Sequence, residues 1–305
     1  MPTSAEILAR RFRGPGDSAD HPAGLLTFTG AVALFAVVDT SAKWLILAGL
    51  PALTVAFIRY FGALLVGLAL ALPREGLAVF RSVNPRLQFL RSLCLMCSTV
   101  LNFIALSFLP LSTAVSIMFA GPVMTTLLAV PMLGEKITPM RLAAVLLGFA
   151  GVLVVVQPWG SDFQPAMLIS IGAMLATSCY FILTRKLANE AQLTHQLWST
   201  GVASLVLLPL ALTHWSWPEG SVQWGVFLLI GPVALAAHTL VVQAHRMAPA
   251  SVLAPVIYLQ LIFVSITGYV IFGAVPGWSV IIGAGIIIAA GLWLRQIDRA
   301  AQRGG

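Results

Sequence analysis

The sequence predicts an all-α integral membrane protein with about ten transmembrane helices in two inverted five-helix repeats. Hydrophobic residues make up 59% of the 305 residues and charged residues 9%, and the mean hydropathy is +0.96. Soluble domains are about half apolar and about a quarter charged, and a chain of this length has too little interior to bury so much apolar surface. Long apolar segments, with Lys and Arg at every second connection, indicate a chain that crosses a membrane repeatedly.

Apolar segments of about 20 residues, the length that a bilayer crossing needs, divide the chain into ten predicted spans. Their continuous apolar character favours helices over the strands of a membrane barrel, which alternate in character and are only about 10 residues long. We place the spans near residues 25–47, 52–72, 88–107, 112–132, 140–156, 165–184, 194–213, 223–243, 250–272 and 277–295. Because this number is even, both termini are expected on the same side of the membrane.

The basic residues predict which side that is, because positively charged connections stay in the cytoplasm. Lys and Arg occur before the first span and after each even-numbered span, and the odd-numbered connections contain neither. The basic residues of the even-numbered connections and the last segment are Arg74, Arg81, Arg86, Lys136, Arg141, Arg185, Lys186, Arg246, Arg295, Arg299 and Arg303. We therefore expect a multi-pass protein of the inner (cytoplasmic) membrane, in contact with lipid, with both termini cytoplasmic. This topology explains the formal net charge of +7, and no nucleic-acid partner is predicted.

An internal repeat is the second strong signal. A shift of about 139 residues aligns the two halves of the chain with the apolar residues largely matched. The aligned positions are Pro110, Ser112, Gly134 and Gln157 in the first half, and Pro249, Ser251, Gly273 and Gln296 in the second. Each half holds five spans, and an odd number makes the halves face opposite ways across the membrane, as in secondary transporters.

The repeat sets the predicted domain boundaries. The first repeat covers residues 25–157 and the second covers residues 165–296. Residues 1–24, rich in Gly, Pro, Ser and Ala, are expected to form a disordered cytoplasmic tail, and residues 297–305 a second cytoplasmic tail.

One segment of the chain resembles a known family. The second half of an EamA unit of the drug/metabolite transporter superfamily is similar to residues 109–156, LPLSTAVSIMFAGPVMTTLLAVPMLGEKITPMRLAAVLLGFAGVLVVV. The matching features are a short Pro turn, a central Pro, a Gly-Glu at the span end and a Gly-rich following span, here Pro110, Pro122, Gly134, Glu135, Gly148 and Gly151. The second repeat departs from this pattern, because Ala274 follows Gly273 where the family has Glu. The resemblance implies a ten-helix carrier of small organic metabolites with a central cavity between its halves, and it does not imply one particular substrate.

Charged residues inside the bilayer are costly, so each one is a functional candidate. Asp39 and Lys43 lie four residues apart on one face of the first span, and Arg59 lies at a similar depth in the second. Two interpretations have equal support. One is a closed ion network that joins the two spans, and the other is a cavity wall that binds a carboxylate or phosphate through Lys43 and Arg59. Asp39 is also a candidate proton carrier.

Other polar and aromatic residues complete the predicted substrate site. His238 in the eighth span suits proton coupling if water reaches it, although a packing histidine fits somewhat better. Asn102 and Gln260 either bind a polar solute or join helices by hydrogen bonds, and the second role is favoured for Gln260. Phe119 and Tyr258 match under the repeat shift, and they either stack on a planar solute or pack in the core, with Tyr180 as a weaker candidate.

Gly121, Pro122 and Pro255 are candidate hinges, because prolines bend helices and glycine permits close approach. A fixed kink without motion is equally compatible with these residues. His195 is expected near a span end, within reach of water. No metal site, cofactor or disulfide framework is predicted, since the histidines are scattered and the three cysteines are odd in number.

These features predict a secondary transporter of small organic molecules that works by alternating access. The favoured substrate is an anionic or zwitterionic solute with a planar ring, moved by proton coupling or by exchange. No phosphate-binding loop for ATP occurs in the sequence. The alternatives are a membrane-embedded enzyme, for which no catalytic motif is present, and a scaffold that does not transport. Whether the protein forms a homodimer is left open.

Overall fold

The helical membrane fold is seen in a computed structural model that describes residues 21–134, 137–160, 162–248 and 253–303. All regular structure in these residues is helical. Nine of their helices are long and apolar enough to cross a membrane, and the shorter apolar helix Val256–Phe272 is a tenth candidate. The predicted all-α membrane fold is therefore confirmed. Residues 1–20 of the predicted tail, together with Glu135, Lys136, Pro249 and Ser251, lie outside the described residues.

The helices follow the predicted spans closely. In chain order they are α1 (His21–Leu47), α2 (Ala52–Glu75), α3 (Pro85–Leu106), α4a (Leu111–Met118), α4b (Gly121–Leu133), α5 (Pro139–Val156), α6 (Ala166–Lys186), α7 (Gln192–Leu212), α8 (Ser221–Met247), α9 (Leu259–Phe272) and α10 (Trp278–Arg303). Short 3-10 helices occupy Gly76–Phe80, after α2, and Ala254–Tyr258, before α9.

Helix ends lie where the local sequence satisfies the backbone. The side chain of Asn84 accepts a 3.1 Å hydrogen bond from the backbone N–H of Leu87 at the start of α3, and Thr138 caps α5 in the same way. Gly134 ends α4b with φ of 70°, and Gly273 ends α9 with φ of 65°. Both glycines adopt the left-handed conformation that favours this residue at helix ends. Two positions matched by the repeat thus have the same backbone shape.

The fourth and ninth predicted spans differ from simple α-helices. α4a ends at Met118, and the N–H of Ala120 bonds to Ile117 O in a tightened turn before Gly121. Pro122 has no N–H to donate to the carbonyl four residues earlier, which explains a break here. In the second half, Pro255 lies in the 3-10 helix that precedes α9. The predicted hinge residues therefore lie at or next to departures from α-helical geometry.

The two halves of the chain pack symmetrically. When each of the first five membrane helices is exchanged for its counterpart among the last five, the same helix pairs are in contact. α1 packs on α8 as α3 packs on α6, and α2 packs on α8 as α3 packs on α7. α2 also packs on its counterpart α7, and α5 on its counterpart α10. Helices α2, α3, α6, α7 and α8 consequently meet in the interior of the bundle, where the two halves face each other.

Glycines let α2 and α8 approach closely in that interior. A Cβ added at Gly231 would lie 2.7 Å from the backbone N of Ala63 and 2.8 Å from the Cα of Gly62. It would also lie 2.8 Å from the carbonyl oxygen of Arg59. Only a residue without a side chain fits at Gly231, so this contact fixes the backbone of α2 beside Arg59.

Candidate functional site

A small cavity of about 60 Å³, lined by polar and apolar groups, lies between the two halves. It is smaller than the range of about 300–1,000 Å³ typical of small-molecule sites. Helices α2 and α3 supply one wall, and α6, α7 and α8 supply the other. The lining residues are Arg59, Tyr60, Ala63, Arg91, Leu95, Tyr180, Gln192, His195, Gln196, Ser199, Thr200, Ala234, Leu235 and His238. This lining includes two arginines and no acidic side chain among the described residues.

Arg59 is buried in this cavity with most of its hydrogen-bonding capacity unused. Its side chain is 8% exposed, and its guanidinium lies 4.8 Å from the ring centroid of Tyr60. Nη1 donates one long hydrogen bond of 3.4 Å to Thr99 Oγ1. Nε is buried and has no hydrogen-bond partner in the described part of the chain. A guanidinium has five N–H donors in a fixed plane, so Arg59 retains donors for an anionic group.

Arg91 is the second cation, and neutral groups hold it in place. It is 3% exposed, and its Nε donates to Thr184 Oγ1 at 2.7 Å. Nη1 donates to Ser199 Oγ at 3.0 Å and to the carbonyl oxygen of His195 at 3.3 Å. Nη2 donates to the hydroxyl of Tyr180 at 2.9 Å. These bonds orient the guanidinium without neutralising its charge.

Asp39 lies in a separate polar cluster beside this cavity. Its Oδ1 accepts a 3.3 Å hydrogen bond from Asn102 Nδ2, and its Oδ2 accepts a 3.2 Å bond from Gln260 Nε2. The carboxylate is close enough to Arg59 to attract it, yet the two form no ion pair. The cluster thus joins α1, α3 and α9.

Lys43 lies apart from these groups, at the end of α3. Its Nζ donates to the carbonyl oxygen of Leu106 at 3.0 Å and to that of Leu109 at 2.5 Å. It also lies 5.6 Å from the ring centroid of Phe272. A positive charge on the last carbonyls of a helix is favourable, because the helix dipole is negative at that end. Lys43 and Arg59, which the sequence analysis paired, are therefore not brought together.

The predicted aromatic residues separate into two groups. Phe119 and Tyr258 contact each other edge to face, with ring centroids 5.2 Å apart. Tyr180 lines the cavity next to Arg91. His238 lines the same cavity, and its ring contacts Phe35 with a centroid distance of 5.0 Å.

Two cavity residues were not predicted as site residues by the sequence analysis. Arg91 lies within the third predicted span, so the rule that singled out Asp39 and Arg59 applies to it equally. His195, expected within reach of water, is 9% exposed, and its Nδ1 lies 3.0 Å from Gln88 Oε1. The Gln88 and His195 pair carries no sequence signal, because its members are 107 residues apart.

Metal binding has no support from the described residues, which contain no group of three His, Cys, Asp or Glu that could hold an ion. Cys94, Cys97 and Cys179 are free thiols. The fold and the cavity define a multi-pass α-helical membrane protein with an arginine-lined cavity between its two halves.

Comparison with known proteins identifies the family. A model of the EamA-like transporter family matches residues 22–157 and again residues 164–295. The chain belongs to the EamA-like transporter family, and the resemblance predicted from the sequence is confirmed. It is accordingly a membrane transporter of a small molecule and not an enzyme.

Relatives over most of the chain are named as transporters. An S-adenosylmethionine uptake transporter of Rickettsia bellii is 29% identical over 248 residues, covering 81% of this chain and 84% of the relative. A riboflavin transporter of Vibrio cholerae is 29% identical over 296 residues, covering 93% and 96%. A solved crystal structure matches with a TM-score of 0.62 at 20% identity, covers 92% of this chain and 99% of its own, and supports the fold alone.

Proposed function

We propose that this protein moves an anionic or zwitterionic organic solute with a planar ring across the inner membrane by alternating access. The single observation that carries the proposal is Arg59, a buried arginine on a cavity between the halves whose Nε has no hydrogen-bond partner among the described residues. A buried cation inside a bilayer is costly, and an anionic group of the solute that accepts hydrogen bonds from Arg59 would offset part of that cost.

The proposed motion is rocking of two inverted halves, residues 25–157 and 165–296, around the cavity. The helix contacts are the same when the two halves are exchanged. This symmetry supports the arrangement, because equivalent contacts allow two equivalent closed forms. The breaks before Gly121 and within the 3-10 helix that contains Pro255 supply candidate hinges.

The cavity is proposed to open toward the cytoplasm in this structure. Its lining includes Gln192, an exposed residue at the start of α7, next to the basic connection between the sixth and seventh spans. Near the start of α2, which is predicted to lie on the outer side, the ring of Phe57 contacts Phe61 and Trp215, and Trp215 contacts Phe227. In this proposal the aromatic cluster closes the outer side, and both termini are cytoplasmic.

The solute chemistry follows from the cavity and from the relatives. Arg59 suits a carboxylate or phosphate, and the ring of Tyr180 together with His238 suits a flat heterocycle. The relatives' names, riboflavin and S-adenosylmethionine transporters, both designate solutes with planar rings. Energy would come from exchange or from protons, with Asp39 and His238 as the candidate proton carriers.

Transport by the purified chain in vesicles tests this function. A thermal-shift screen over amino acids, nucleosides, flavins and sulfonium metabolites first selects solutes that bind the folded state, since binding raises its apparent stability. We expect a selected solute to enter vesicles that contain the wild-type protein, and Arg59→Gln to reduce that uptake. A scaffold without transport activity would show no uptake of any solute from the screen.

A further inference from the structure

Two buried arginines face the same cavity but differ in their partners. Arg59 keeps unused donors, whereas Arg91 is bonded through Nε, Nη1 and Nη2 to oxygens of α6 and α7. Both guanidiniums act electrostatically on His238, so they share one region of the cavity. An anionic group in that region would feel both positive charges.

The lining of the cavity carries positive charge and, among the described residues, no acidic side chain. Arg59 and Arg91 contribute two positive charges, whereas Asp39, which Arg59 attracts, and Glu190, which acts on His195, lie outside the lining. The partners of Arg91 in the described residues are all neutral. Arg91 therefore has no acidic group among its hydrogen-bond partners in the described residues, and a buried cation held by neutral groups alone is costly in a low-dielectric interior.

We infer that the cavity selects solutes with a net negative charge, and that Arg91 is a binding residue that holds an oxyanion together with Arg59. The group is a carboxylate or a phosphate ester, and its negative charge would attract both guanidiniums. This inference rests on the proposed function and narrows its substrate class from anionic or zwitterionic solutes to net anions.

The inference predicts that this chain prefers solutes of a different charge from those named for two of its relatives. S-adenosylmethionine carries a sulfonium, an ammonium and a carboxylate, so its net charge is positive at neutral pH. Two arginines without an acidic residue in the lining repel such a cation. Riboflavin is neutral and gains nothing from either guanidinium. We therefore expect this chain to bind an anionic ring compound more tightly than either of these two solutes.

Arg91 is suited to the role because its orientation is fixed before the solute arrives. Its bonds to Thr184, Ser199 and Tyr180 immobilise the side chain, so little rotamer entropy remains to be lost on binding. These partners belong to the second half and Arg91 to the first. An oxyanion bound to both arginines would therefore lie next to the contact between the two halves.

Matched pairs of ring compounds that differ in one anionic group test the inference. The pairs are riboflavin with flavin mononucleotide, adenosine with adenosine monophosphate, and nicotinamide with nicotinate, and S-adenosylmethionine serves as the cation. Dissociation constants are measured by calorimetry on the purified full chain in a non-ionic detergent. We expect the anionic member of at least one pair to bind about tenfold or more tightly than its neutral partner, as hydrogen bonds to charged groups allow.

Variants separate binding from folding. Arg91→Gln and Arg59→Gln should each lower the anion preference to about threefold or less, and Arg91→Lys, which keeps the charge, should retain part of it. Unchanged affinity for the neutral partner shows that the variant is folded. Arg86→Gln is the matched control, because Arg86 is an exposed residue five positions before Arg91 on the same helix. It should keep the full preference.

The outcomes distinguish this inference from the proposed function. If neutral compounds or S-adenosylmethionine bind as tightly as the anions, or if no anion binds, the net-anion inference is overturned. Uptake of a neutral or cationic solute into vesicles would then still support transport. If no solute of any charge is taken up, the proposed function fails as well.

Discussion

The guanidinium of Arg91 lies 4.5 Å from the ring centroid of Tyr180 and donates a 2.9 Å hydrogen bond to its hydroxyl. One turn further along α6, Thr184 accepts the bond from Nε and donates its own to the carbonyl of Tyr180 at 2.7 Å. Arg91 belongs to the first half of the chain, and Tyr180 and Thr184 belong to the second. A single buried cation thus ties the halves together next to the cavity.

Removing the Tyr180 hydroxyl should weaken this tie without removing the ring. Tyr180→Phe loses one hydrogen bond to a charged group, worth about 1.5–3 kcal/mol, and Tyr180→Leu also loses the cation–π contact, worth about 0.5–2 kcal/mol. We expect thermal unfolding in detergent to rank wild type above Tyr180→Phe and Tyr180→Phe above Tyr180→Leu. Tyr269→Phe, which removes the hydroxyl of an exposed tyrosine away from Arg91, is the control. Equal stability of wild type and Tyr180→Phe would contradict the structural importance of the bond.

Neutralising Asp39 should impair transport while the protein stays folded. Asp39→Asn keeps the size of the side chain and one acceptor oxygen for Asn102 or Gln260, but it removes the negative charge near Arg59. We expect reduced uptake in vesicles at a level of folded protein similar to wild type, as judged by size-exclusion chromatography. A loss of folded protein equal to the loss of uptake would instead indicate a packing network.

A side chain at Gly231 should force α2 and α8 apart. Gly231→Val would place its Cβ 2.7–2.8 Å from backbone atoms of α2, including the carbonyl oxygen of Arg59. Overpacking costs typically about 1–3 kcal/mol, and more where the neighbour is backbone. We expect a lower unfolding temperature and weaker solute binding, because Arg59 moves with its helix. Gly225→Ala, on the same helix with open space around it, should leave both unchanged.

The fold could be predicted from the sequence because apolar spans, helix-breaking residues and basic connections are local signals, and the bilayer imposes strict requirements on them. Gly134 and Gly273 show this, since each ends a helix in the left-handed conformation that its sequence suggests. The site was harder, because side-chain partners depend on how helices rotate against each other. Asp39 and Arg59 have similar predicted depths and Lys43 lies one turn from Asp39, yet Lys43 bonds to carbonyls at the end of α3. Arg91 was detectable by the rule for charges in the membrane, whereas its partners on α6 and α7 were not.

The inverted arrangement predicts that the regions around Gly134 and Gly273 lie on opposite faces of the membrane. Thr138 and Val275 are exposed residues in the turns that follow these two glycines, and each can be replaced by cysteine after Cys94, Cys97 and Cys179 are changed to serine. In intact cells, a membrane-impermeant maleimide should label Val275→Cys, and should label Thr138→Cys only after the membrane is opened. Labelling of both positions from the same side would disprove the inverted repeat.

Glu190 links two connections that are predicted to be cytoplasmic, and its contribution should depend on pH. Its Oε1 accepts hydrogen bonds from the backbone N–H of Val83 at 2.8 Å and from the hydroxyl of Ser82, at the start of α3. Partial burial opposes the charged form, but the bonds from Ser82, Val83 and Asn84 outweigh it and hold the pKa of Glu190 below its ordinary value of 4.5. A carboxyl whose pKa is lowered in the folded state stabilises that state fully above the ordinary value. The stabilisation is lost as the pH falls through the lowered pKa.

Glu190→Gln should therefore be less stable than wild type at pH 7, and the difference should shrink below about pH 4.5. Thermal unfolding of both proteins in detergent between pH 7 and pH 4 measures this difference directly. Glu75→Gln removes an exposed carboxyl at the end of α2 and serves as the control for the loss of a surface carboxyl. A gap between wild type and Glu190→Gln that is constant over the whole range would show that the carboxylate charge does not contribute, and that the contact acts through its shape alone.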